Sequence, residues 1–253
     1  MNKHEIAKTL DQAASNAQPV SQMAAKNNIS LDDAYQIQRE SIALRVQRGE
    51  IITGFKLGFT SKAKMEQMGV HDLIWGILTD TMIIEHNETI NIDRWIHPRA
   101  EPEIAFRVSK DITQALTLEQ LPEYIDAMAP ALEIIDSRYE NFKFSLEDVV
   151  ADNCSSTGYV ISDWLDLETA IANLEMELVI NDEVIEKATS ASILDNPLQS
   201  VVELSRLASE AGVKIQKGHV ILAGAATAAK FITKDQTITA RVENMGKVTF
   251  KTK

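Results

Sequence analysis

Apolar residues fall at helical spacing through the first fifty positions, where Ile6, Leu10 and Ala13 share one face and Pro19 breaks the pattern. A second helix is predicted from Ser30, a good N-cap, with Asp32 and Asp33 in the first turn where the helix dipole favours them. Its stripe runs through Leu31, Ala34, Ile37, Ile42 and Val46, and Gly49 ends it. From Ile51 onward the texture changes to short apolar runs separated by turn residues. Strands are predicted at Ile51–Phe59, Leu78–Ile84, Glu101–Val108 and Ala129–Ile135, with short helices at Ser61–Met68 and Leu118–Ala127. Leu165–Leu174 reads as a brief turn or helix. Glu175–Ile180 and Glu183–Ala188 form a hairpin about Asn181-Asp182, and Pro197–Glu210 is a helix with proline near its start. Val220–Ala223, Gln236–Val242 and Lys247–Phe250 complete the strands.

Many short strands with intervening helices predict an α+β fold on a twisted mixed sheet. Residues 1–50 would form a helical cap and residues 51–253 one continuous body, since no repeat or linker divides the chain.

Composition narrows the function. The chain has 25 Lys plus Arg against 37 Asp plus Glu, a formal charge of −12 over 253 residues. Such a surface repels phosphate backbones and anionic headgroups, so neither nucleic acid nor a membrane is an expected partner. A single cysteine, Cys154, excludes an internal disulfide and fits a reducing cytoplasm. The polar start resembles no signal peptide, and no apolar run reaches the roughly 20 residues of a membrane span. The histidines form no zinc-hydrolase motif.

The candidate chemistry lies in carboxylates. Glu101 and Glu103, at spacing two, share a face if their segment is a strand. Such a pair can be a plain solvated face. Glu133, however, sits in the apolar run Ala129-Pro130-Ala131-Leu132-Glu133-Ile134-Ile135, where an ionised carboxylate needs an ion-pair partner, such as Arg138, or a metal. Three carboxylate oxygens suit magnesium or manganese. Lys56, between Gly54 and Gly58, is either an exposed strand lysine or a site residue whose pKa falls near a metal. Asp80 is a turn residue or a carboxylate orienting Lys56. Arg138 and Lys143 are candidates to hold a substrate carboxylate. Asn153 and Ser155 lie in a polar cluster that is either loop or pocket wall. Gly224, among small residues, would let backbone approach a ligand.

In order along the chain, Gly54–Gly58, Met65–Gly69, His97–Phe106, Pro130–Phe144, Val149–Ser156 and Gly218–Ala229 resemble the hydratase/decarboxylase branch of the fumarylacetoacetate hydrolase superfamily. The resemblance implies that branch's twisted mixed β-sheet roll. It also implies magnesium or manganese on Glu101, Glu103 and Glu133, with Lys56 and Asp80 as active-site residues. The run IDSRYENFKF followed by VADN is closer to the branch's decarboxylases than to its hydratases. Loss of carbon dioxide from 2-oxohex-3-enedioate is then implied, with hydration of 2-hydroxypenta-2,4-dienoate the alternative. A non-catalytic assembly subunit is a third reading, against which the intact site residues speak. The branch also implies homo-oligomers or a complex with a partner hydratase. Ala100, and Ala223-Gly224-Ala225, depart from the branch's usual residues and bear on substrate fit.

Overall fold

Asn2 opens the first helix, its side chain accepting the Glu5 N–H at 2.9 Å, one of the donors a helix start leaves unpaired. The computed structural model describes residues 2–60, 73–168 and 170–253. In it α1 spans Lys3–Asn16, the single turn α2 Ala24–Asn27, and α3 Leu31–Gln47. Ser30 caps α3 in a reciprocal box with Asp33, as its sequence predicts. Ala34, Ile37 and Ile42 of the stripe are buried, whereas Leu31 and Val46 at its ends stay exposed. The expected Ser61–Met68 helix lies outside the described residues.

The strands described are β1 Ile52–Gly58, β2 Ile74–Thr79, β3 Thr89–Ile90, β4 Arg99–Val108, β5 Ile125–Ile135, β6 Ser156–Ile161 and β7 Leu165–Asp166. They continue with β8 Glu175–Ile180, β9 Glu183–Thr189, β10 Val220–Leu222, β11 Lys230–Phe231, β12 Thr237–Val242 and β13 Gly246–Thr252. Helices α4 (Leu146–Ala151) and α5 (Leu198–Glu210) lie between them. The larger sheet runs β2-β1-β10-β4-β5-β6, with β11 added to β4 and β7 to β5; the smaller runs β3-β13-β12-β8-β9. β1 pairs with β10, and β3 with β13, in parallel, inside otherwise antiparallel sheets. The fold is the expected mixed α+β type.

Beyond β2 the larger sheet closes on itself. Ile84 N–H donates to Tyr159 O of β6 at 2.9 Å, so the two ends of the strand order meet and the sheet curls into a roll. Alternation then decides which residues face the lumen. Leu78, Ala105, Ala131, Tyr159 and Leu222 fill part of it. On the outer face, Ala100, Leu132 and Ile134 pack against Ile238, Ala240, Val248 and Phe250 of the smaller sheet. Further along the same face, Phe55, Ile104 and Phe106 pack against Val201 and Leu204 of α5. With both faces covered, β5 reads as an apolar run interrupted beyond its start only by Glu133.

Several boundaries differ from expectation. β2 ends at Thr79, not Ile84, because Asp80–Met82 turns as a 3-10 helix whose Asp80 carboxylate accepts the Ile51 and Thr81 N–H groups, each at 3.0 Å. Leu118–Glu123 is 3-10 rather than α, with Pro122 inside it, and β5 already begins at Ile125. Where a brief turn or helix is expected at 165–174, the structure has the two-residue strand β7 and a turn at Ala172-Asn173. Helix α4 and strand β6 are additional. The hairpin is as predicted: Asn181 (φ 51°) and Asp182 (φ 67°) both take the left-handed conformation that a tight two-residue turn needs.

Candidate metal centre

β4 and β5 are antiparallel and in register, and Glu101 pairs directly with Glu133. Glu103, two residues along, lies on the same face, diagonal to Glu133. The three side chains each offer an oxygen within 4.8 Å of the others, and all three residues are buried. Lys56 enters from β1, 4% exposed, with Nζ 3.0 Å from Glu133 Oε2. Gly224, at φ +103° after β10, donates its N–H to Glu103 Oε2 at 2.7 Å. A side chain there would put Cβ 2.4 Å from Thr60 Cγ2, so only glycine allows this approach.

Among the described residues, three carboxylates and one ammonium leave a formal charge of −3 + 1 = −2 in a buried site. The proton equilibria register that excess. Burial, then Glu133, pushes Glu103 well above the usual carboxylate range. Burial likewise pushes Glu133 up to about 7 against the pull of Lys56. For Lys56 burial opposes the charge, but Glu133 foremost, with Cys154, Glu101 and Glu103, holds the pKa above the ordinary lysine value. Among these carboxylates Lys56 is held as an ammonium, and the expected fall belongs to the metal-bound site. Glu103 Oε1 and Glu133 Oε1 are buried and accept no hydrogen bond among the described residues. A divalent cation with oxygen preference fits this donor set, cancelling the −2 and occupying the bare lone pairs.

A cavity of about 410 Å³ opens beside the cluster, lined by Lys56, Glu101, Thr60, Cys154, Ser155, Arg99, Phe142 and Phe144. Ser155 presents a buried hydroxyl without a partner among the described residues. Cys154 donates its thiol to Trp75 O at 3.1 Å, and burial pushes its pKa up to about 12.

Other candidates have different tasks. Arg138 is 2% exposed, ion-paired to Asp152, and bonded to Thr157 Oγ1 at 2.8 Å and to the carbonyls of Asp136 and Ser156. It borders a separate 220 Å³ cavity rather than the carboxylate one, and it is not the ion-pair partner of Glu133. Lys143 is exposed and outside the lining. Asn153 spends its side chain on β2, accepting from Ile77 N–H and donating to Ile77 O, both at 2.8 Å. Gly76 makes room for it: a Cβ there would lie 2.8 Å from Asn153 O. Asp80 lies four residues past Gly76, the β2 partner of Lys56, and is occupied with backbone N–H groups, so Glu133 rather than Asp80 sets the lysine's charge. Gly224 orients Glu103 and is not among the cavity-lining residues.

Sequence reasoning missed Arg99 and Thr60. The signal for Arg99 was present: the spacing of two that relates Glu101 to Glu103 reaches Arg99 one step earlier on the same face.

The chain is similar to known proteins. A 4-oxalocrotonate decarboxylase of Pseudomonas sp is 42% identical over 252 residues, covering 100% of this chain and 98% of the relative. A 2-keto-4-pentenoate hydratase of Paraburkholderia xenovorans (strain LB400) is 32% identical over 232 residues, covering 88% of this chain and 84% of the relative. The solved 4-oxalocrotonate decarboxylase from Pseudomonas putida G7, complexed with magnesium and adipate, superposes with a TM-score of 0.95 at 33% identity. That match covers 99% of this chain and 97% of the other. The family model for the fumarylacetoacetate (FAA) hydrolase C-terminal region matches residues 59–252. From its rolled sheet, and from relatives alike over nearly their whole length, this chain belongs to the fumarylacetoacetate hydrolase family.

Proposed function

We propose that this protein decarboxylates 2-oxohex-3-enedioate to 2-hydroxypenta-2,4-dienoate, with magnesium or manganese held by Glu101, Glu103 and Glu133, in the meta-cleavage breakdown of aromatic compounds. The observation that carries the reading is the buried carboxylate trio with an ammonium at 3.0 Å, beside a cavity of a size typical for small ligands. When bound, the metal supplies Lewis acidity for a 2-oxo acid.

The bond changes balance without an oxidant. The C5–C6 bond breaks and C6 leaves as carbon dioxide. Its electron pair forms C4=C5, the C3=C4 pair moves to C2=C3, and the carbonyl pair ends on the C2 oxygen, which takes a proton. Lys56, kept protonated by Glu133, is the donor for that oxygen, and water restores its proton afterwards. Ser155 offers a free hydroxyl to the substrate's polar edge. Glu103 is locked by the Gly224 N–H, so the ligand set needs little rearrangement.

The kinship with hydratases favours one second reading, water addition to 2-hydroxypenta-2,4-dienoate at the same centre. Supplying each substrate with magnesium, and following carbon dioxide against 4-hydroxy-2-oxopentanoate, separates the two. Carbon dioxide release that Glu133→Gln abolishes is the expected result; water addition alone would overturn the decarboxylase.

The same reading places the protein in the cytoplasm, in keeping with its charge of −12 and its lone buried thiol. No described helix is long and apolar enough to cross a membrane. It would work as a homo-oligomer or with a partner hydratase. Residues 1–50 act as a cap, while 51–253 carry every proposed site residue.

A further inference from the structure

We propose that Arg99, stacked on Phe142, receives the distal carboxylate of the substrate and so selects six-carbon diacids over monoacids; the proposal rests on the decarboxylase reading above. Among the described residues lining the cavity, only Lys56 and Arg99 are cationic. Lys56 is already committed to Glu133. The Arg99 guanidinium makes no ion pair or hydrogen bond among the described residues, and its Nε is buried without a partner. A guanidinium whose Nε is buried without a partner is stabilised by an anion, and none of the described groups supplies one.

What holds Arg99 in place is an aromatic ring. Its Cζ lies 3.9 Å from the centroid of Phe142, so one planar face is covered while the edge carrying the N–H donors is left for a carboxylate. Asn141 (φ 58°) and Phe142 (φ 55°) both adopt the left-handed conformation, a strained pair that sets the ring where the arginine needs it.

Spacing supports the assignment. Arg99 precedes Glu101 by two residues on one face of β4, a rise of about 6.6–6.8 Å. With C–C bonds of about 1.5 Å, the two carboxyl carbons of an extended six-carbon diacid lie about 6 Å apart. A diacid with one end at the glutamates therefore brings its other end to Arg99. Arg138 and Lys143 do not line the cavity. Because the carboxylate at Arg99 is the one that leaves, a single stacked cation holds it without over-stabilising the ground state.

The test measures binding of adipate, which spans both ends, and oxalate, which reaches only the glutamate end, to the magnesium-loaded protein by calorimetry. In Arg99→Gln, adipate affinity falls at least about tenfold while oxalate affinity is unchanged. KM for the diacid rises by a similar factor with kcat within about threefold. Arg99→Lys recovers part of the adipate affinity and shows that the fold tolerates change at this position. Equal loss of both ligands, or loss of neither, overturns the assignment. Failure of the decarboxylase reading has a different signature, since the unaltered protein would then release no carbon dioxide whatever adipate does.

Discussion

Lys56 Nζ stands 3.0 Å from Glu133 Oε2, with both groups almost wholly withdrawn from solvent. The pair has opposite consequences for its two members: the glutamate keeps the lysine charged, while the lysine restrains the rise in the glutamate's pKa. Lys56→Met therefore removes a proton donor and also leaves three acids without their only nearby ammonium among the described residues. We expect kcat to fall by about 10²–10⁴-fold. The metal-free variant should melt lower than the unaltered protein, and added magnesium should return most of the difference in a thermal scan.

Acid and base should act oppositely on the metal-free and metal-bound forms. Glu133, ordinarily near 4.5, is raised to about 7, and Glu103 is raised as well. A carboxyl raised on folding contributes stability below its unfolded pKa and loses it as pH rises through the folded one. The metal-free protein should thus lose stability as pH climbs through about 7. Metal needs the ionised acids, so magnesium affinity should rise over the same interval. Thermal midpoints at about pH 5.5 and about pH 8, with and without magnesium, check both signs. A magnesium shift larger at the acidic pH would contradict the coupling.

Gly224→Ala joins two faults, a Cβ 2.4 Å from Thr60 Cγ2 and a side chain at φ +103°. We expect a loss of about 2–3 kcal/mol in denaturant unfolding. Magnesium affinity should also weaken, since the turn that carries the N–H bonded to Glu103 must shift. Calorimetric titration measures this separately.

Arg138→Leu strands the Asp152 carboxylate, which burial already lifts to about 6 against the arginine's pull. Breaking a buried pair by removing one partner costs about 3–5 kcal/mol. The expected outcome is a large fall in stability, measured by unfolding. In whatever fraction stays folded, KM for the diacid should be unchanged, because the guanidinium does not reach the carboxylate-lined cavity.

Those outcomes track what the sequence made visible. Glu101 and Glu103 were legible because strand periodicity is local, and Glu133 because a charge in an apolar run demands a partner. Their convergence was legible only through the family resemblance, since it depends on the register that sets Glu101 opposite Glu133 across two strands. Arg138 and Asn153 stay open in the sequence for the same reason. Their occupants, Asp152 for the one and the Ile77 backbone for the other, are a matter of how the chain returns, which composition does not encode. Asp80 reads in the sequence as a turn residue or a carboxylate orienting Lys56, and its bonds to Ile51 and Thr81 N–H are those of a turn. The end of β2 was missed because Met82, Ile83 and Ile84 prolong the apolar run beyond the turn.

The glutamates occupy two adjoining strands stitched along nine consecutive pairings from Arg99 to Arg107, whereas Phe142, Thr60 and Ser155 stand on connecting segments. Changes to those connections can retune which molecule is accepted and leave the cation's seat untouched. A lineage built this way can acquire new substrates by exchanging loops, with no need to reinvent the centre that activates them.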